Sequence, residues 1–120
     1  MLAHAVWLDA AEIEHLAQRG VGGVAHNPVS NMKLASGVAP VAAMLDAGVA
    51  VGIGTDGEKE NNNLDMFEEM KAASLLGKLA ANDAAAMDSW TVLEAATMGG
   101  AARWGWRPTS APSRWARRPT

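Results

Sequence analysis

Three short apolar runs, "LAHAV" (2–6), "VGGVAHNP" (21–28) and "VAVGIGTD" (49–56), each give way to a polar segment and are separated by stretches of helical periodicity. No other feature constrains the fold as much. Near-continuous apolar strands are covered on both faces, and their alternation with helices builds parallel βα units. Between the first two runs, Asp9 followed by Glu12 predicts a capped helix start, Ile13, Leu16 and Ala17 form one stripe, and Gly20 ends it. "APVAAMLDAG" (39–48) predicts a short helix with Val41, Met44 and Leu45 on one side. "LDMFEEMKAASLLGKLAA" (64–81) predicts a long one with Met66, Phe67, Met70, Ala73 and Leu76 turned inward. A further helix is expected from Ser89 towards Met98, while "VSNMKLASG" (29–37) and "GEKENNN" (57–63) read as loops. The expected fold class is α/β, with parallel strands and flanking helices.

The composition removes several chemistries. The 120 residues include no cysteine, so there is no disulfide framework and no thiolate, and any metal site must use His, Asp or Glu. No apolar run approaches the length of a membrane span, and no basic region precedes the first apolar stretch, so neither a membrane nor a signal peptide is expected. A cytoplasmic location is the default. The net charge of −3 hides a split: residues 1–102 carry all 13 acids against five basic residues, whereas 103–120 carry five arginines and no acid. That tail, "RWGWRPTSAPSRWARRPT", also holds three of the five tryptophans. It is expected to be a disordered basic tail, since one short Arg/Trp cluster on an acidic body is a weak nucleic-acid footprint. Two units are therefore expected, 1–102 and 103–120.

In parallel α/β folds the functional site lies at the carboxyl ends of the strands. His4, His26 and Asp56 fall at such ends. Asp56 closes an apolar run, where a carboxylate is costly unless paired or coordinated. Its alternatives are a turn or helix cap, or a metal ligand and proton acceptor. His4 reads either as a hydrogen-bonded core histidine or as a proton shuttle or substrate contact. His26, before Asn27-Pro28, reads as a loop-orienting residue or a substrate contact. His15 lies inside the first helix and reads as structural, "NNN" (61–63) as a solvated turn, and Met44, Met66 and Met70 as core. The sequence contains no HxH, no HExxH and no paired-histidine motif. One Asp does not hold a metal alone, so the residues themselves lead to part of an α/β barrel with an incomplete ligand set.

"AHAVWLDAAEIEHLA", "VAHNPVSNMKLASGVAPVAAMLDAGVAVGIGTDG" and "NNNLDMFEEMKAASLLGK" together resemble the amidohydrolase superfamily over about residues 2–102. The branch they are most similar to holds deaminases of S-adenosylhomocysteine and methylthioadenosine, with the related triazine chlorohydrolases. The resemblance implies a TIM-like (β/α)8 barrel of which this chain supplies about three C-terminal βα units. It also implies one catalytic divalent metal, zinc or iron. Asp56 matches the family's metal-ligating aspartate, which also takes a proton from the attacking water. His4 matches the histidine that polarises that water. His26 and Asn31 match a loop whose role is open, with His26 a candidate substrate contact. The implied reaction is attack of metal-bound hydroxide on a ring carbon with loss of ammonia. The implied substrate is a purine nucleoside or another heteroaromatic; a triazine or guanine-type amino- or chlorohydrolase is the alternative. Self-association stays open.

The family's HxH strand and its His-x-x-Glu are absent from this sequence. A whole barrel needs about 250 residues. The further expectation is a chain without tight metal binding or turnover of its own, or a non-catalytic truncated product, with an exposed strand edge. Where the family continues with "Leu-Glu-Val-Gly-Lys", a G/C-rich back-translation of 103–120 yields that continuation in a neighbouring reading frame, so a frameshift in the tail is expected.

Overall fold

The computed structural model describes residues 1–103. The expected tail, 103–120, lies outside the described residues apart from the backbone of Arg103. The alternation read from the sequence is present: three strands, β1 (Leu2–Ala3), β2 (Val24–His26) and β3 (Val51–Ile53), form one all-parallel sheet in the order β1-β2-β3. Helix α1 (Ala10–Arg19) links the first two strands. It starts at a complete capping box, Asp9 Oδ1 accepting from the Glu12 N–H at 2.8 Å and Glu12 Oε2 accepting from the Asp9 N–H at 2.9 Å. It stops at Gly20, whose φ of 61° is a left-handed cap.

Two further helices, α2 (Pro28–Lys33) and α3 (Val41–Asp46), precede β3, followed by a single turn α4 (Glu58–Asn61) and the long α5 (Met66–Ala81). The last segment is α6 (Ser89–Glu94), a π-helical stretch Ala95–Gly99 and α7 (Gly100–Arg103). The core lies between sheet and helices and is built from Ile13, Val24, Val41, Met44, Val49, Val51, Ala73, Met87 and Val92. Val24 and Met44 are fully enclosed. No helix among the described residues is long and apolar enough to cross a membrane.

Several expectations are corrected. Residues 29–37 are not all loop, because Pro28 at the first helical position starts α2 with its φ already fixed and its missing N–H not needed. Within "GEKENNN", Glu58–Asn61 makes a helical turn. On α5 the expected Ala73 is core and Met70 packs against it, but the buried stripe is Glu69, Ala73 and Gly77, spaced by four, and Phe67 is 81% exposed. Small residues at 73 and 77 let this helix approach its neighbours closely, so the buried stripe is the slim one with Met70 at its edge. The helix expected to run unbroken from Ser89 widens into a π stretch at Ala95, where Gly99 is pressed onto the Val51 carbonyl. The first strand is also shorter than expected. It ends at Ala3 because His4 and Ala5 turn left-handed, with φ of 63° and 49°.

Candidate active site

Parallel register brings the carboxyl ends of all three strands to one rim. The His4 N–H donates to the Ala25 carbonyl at 2.8 Å and the Gly54 N–H to the His26 carbonyl at 2.9 Å, which fixes where the chain leaves β1 and β3. His4 and Asp56 then meet: His4 Nε2 lies 3.6 Å from Asp56 Oδ2. Both side chains keep partial contact with solvent, at 40% and 31% exposure. Both also hold left-handed backbone, Asp56 with φ 60°. Such conformations cost of order 1–3 kcal/mol for ordinary residues and cluster at functional sites.

Two neighbours on α2 hold this pair. Ser30 Oγ donates to Asp56 Oδ2 at 2.8 Å, and Asn31 Oδ1 pairs with His4 Nδ1 at 2.8 Å. A carbonyl oxygen only accepts, so Nδ1 carries the proton and Nε2 is the nitrogen turned to Asp56. Ser30 and Asn31 are enclosed, with 0% and 1% exposure, although serine and asparagine in a row read as surface loop in the sequence.

A second layer lies behind them. Glu69 of α5 is fully buried. Its Oε2 accepts the Val29 N–H at 3.2 Å and its Oε1 accepts from Asn61 Nδ2, while Asn61 Nδ2 also donates to the Thr55 carbonyl at 2.6 Å. Burial pushes the Glu69 carboxyl above its ordinary range, against the pull of those hydrogen bonds. Lys33 straps α2 to α4 through the Lys59 carbonyl and Asn62 Oδ1, the latter at 2.6 Å.

His26, unlike the pair, is sealed from solvent. Its ring is 2% exposed and its buried Nδ1 has no partner among the described residues. Burial, and secondarily the charge of His4, lowers its pKa from 6.5 to about 4. The folded chain therefore binds this proton less readily than the unfolded chain. Stability from this group is present above about pH 6.5 and is lost as pH falls towards 4. Glu69 works the other way, since its raised pKa favours the folded state on acidification. We expect His26→Asn to remove about 2 kcal/mol of the stability difference between pH 7 and pH 5, measured by urea unfolding at the two pH values.

Nothing in the local sequence marks Ser30, Asn61 or Glu69 as part of a site. The usable signal for Glu69 was the spacing Glu69-Ala73-Gly77, a slim stripe with one acid in it. Among the described residues, no group of three or more His, Cys, Asp or Glu side chains is placed to hold a metal ion.

Residues 1–108 match the amidohydrolase family. The chain belongs to that family. A 5-methylthioadenosine/S-adenosylhomocysteine deaminase of Haloarcula marismortui is 62% identical over 101 residues, which is 84% of this chain and 23% of that protein. A zinc-bound adenosine deaminase from Xanthomonas campestris superposes with a TM-score of 0.84 at 50% identity, covering 88% of this chain and 24% of that one. Atrazine chlorohydrolase from Arthrobacter aurescens, complexed with zinc, gives 0.80 at 32% identity, covering 88% and 23%. The chain thus spans about a quarter of the length of these relatives, and its three parallel strands with flanking helices are part of an amidohydrolase TIM barrel.

Proposed function

We propose that this segment supplies the proton-handling rim of a metal-dependent deaminase acting on adenosine-like nucleosides of the methylthioadenosine or S-adenosylhomocysteine type. The carrying observation is the facing pair, His4 Nε2 and Asp56 Oδ2 at 3.6 Å, each held from behind by adjacent residues of α2. Names of relatives at 62% and 50% identity support the nucleoside class.

A carboxylate beside an imidazole fits a divalent metal as part of a ligand set, with Asp56 as the ligand; the two solved relatives above contain zinc. When bound, such a metal supplies a nucleophile at neutral pH by lowering the pKa of water. Asp56 accepts a proton from the attacking water. His4, its Nδ1 proton donated to Asn31 Oδ1, leaves Nε2 beside Asp56 to accept a hydrogen bond from that water and orient it. The substrate loses ammonia from the ring carbon that water attacks. His26 is the weaker proposed contact, since substrate reaches its enclosed ring only by displacing what covers it. The second reading, hydrolysis of a triazine or guanine-type ring, rests on the match to atrazine chlorohydrolase at lower identity.

The test replaces the matching segment of the Xanthomonas campestris adenosine deaminase with residues 1–102 of this chain. The chimera is expected to bind zinc and release ammonia from methylthioadenosine or S-adenosylhomocysteine. A folded, zinc-loaded chimera that hydrolyses only triazines selects the second reading, and one inert to both classes removes the proposal.

A further inference from the structure

We propose that Glu69 is a positioning residue that sets the geometry between Asp56 and Ser30 without touching either. The inference rests on the reading of Asp56 as a reacting carboxylate. A carboxylate with no exposed surface is costly to bury, and the Val29 amide and the Asn61 side chain that meet this one are neutral donors. Those donors lead to the two segments of the rim, α2 and the turn after β3. Through Oε2, Glu69 holds the Val29 N–H, one residue before Ser30. Through Oε1 it holds Asn61, whose amide in turn holds the Thr55 carbonyl, one residue before Asp56. Both groups facing Asn61 are acceptors, so the orientation of its amide is fixed by its surroundings. One buried carboxylate therefore references both ends of the 2.8 Å Ser30–Asp56 hydrogen bond. It also fixes the peptide that precedes Asp56, whose φ of 60° needs outside support to persist.

Substitution by glutamine isolates this role. Glu69→Gln keeps the volume but leaves one acceptor oxygen for two donors, so one of the two segments must be released. The full chain, labelled for NMR, is the sample. In Glu69→Gln, release of Asn61 is expected to move the three-bond amide–Hα coupling of Asp56 towards a left-handed/extended average. Release of Val29 instead is expected to make its amide exchange about tenfold faster, and in either case the Met44 methyl stays unshifted. The double variant Asn61→Asp with Glu69→Gln separates positioning from general support. There the glutamine oxygen accepts from Val29 again and the glutamine amide donates to the new carboxylate, which has no proton to give the Thr55 carbonyl. This variant should recover the Val29 protection, yet leave Asp56 averaged. The proposal is overturned if Glu69→Gln changes neither the Asp56 coupling nor the Val29 exchange, or if the double variant keeps the wild-type Asp56 coupling. Neither readout involves turnover, so failure of the deaminase reading is scored separately by the chimera.

Discussion

Asp56→Asn, placed in the chimera, is expected to lower kcat by about 10²–10⁴-fold while leaving the melting temperature nearly unchanged. The substitution isolates the charge. Asparagine tolerates left-handed backbone well, so the φ of 60° at this position is kept. Its amide oxygen still accepts from Ser30 Oγ, which lies 2.8 Å from the native carboxylate. What disappears is the negative oxygen beside His4 Nε2, and with it both the proposed proton acceptor and the proposed anionic metal ligand. Steady-state ammonia release and a zinc assay measure the two losses separately. Retention of more than about a tenth of wild-type kcat, well short of the loss expected for a proton acceptor, would show that Asp56 is only a loop residue. Unfolding of the variant would instead assign the carboxylate to structure.

Gly99→Ala carries the largest expected effect on stability. A Cβ at this position would lie 2.1 Å from the Val51 carbonyl oxygen and 3.2 Å from its carbon. Val51 is 2% exposed and paired with Val24 in the sheet, so neither partner moves away as a side-chain tip would. Relief requires the π-helical stretch to lift off β3, and overpacking of this kind costs about 1–3 kcal/mol or more. A lowering of the melting temperature by more than about 10 °C is expected. Gly100→Ala is the internal control: nothing lies within 4 Å of its Cβ, and alanine is the better helix former. Circular dichroism melts of the two variants should therefore diverge in opposite directions. Equal melts would mean that Gly99 is not pressed on the strand.

The strand ends were legible because their signal is local. An apolar run closing on His4, His26 or Asp56 needs no knowledge of the rest of the chain. The parallel sheet followed from the same alternation, and the motifs from "HNPVSN" to "FEEM" carried the family. Local signals also misled. Phe67 looks like core by periodicity, yet it is exposed, and Glu69 two residues on is buried. Periodicity tells that a helix has faces, and only its neighbours decide which face is covered.

The sequence by itself determined the alternation of the three strands with the longer helices, the capping box of α1 and the three polar strand ends. Tertiary structure alone decided that His4 and Asp56 face each other while His26 is sealed, and that a glutamate 40 residues from Val29 closes the layer behind them. The physical reason is that a buried charge is tolerable only among donors delivered by other elements. Such partners are set by packing, which no short window of sequence contains.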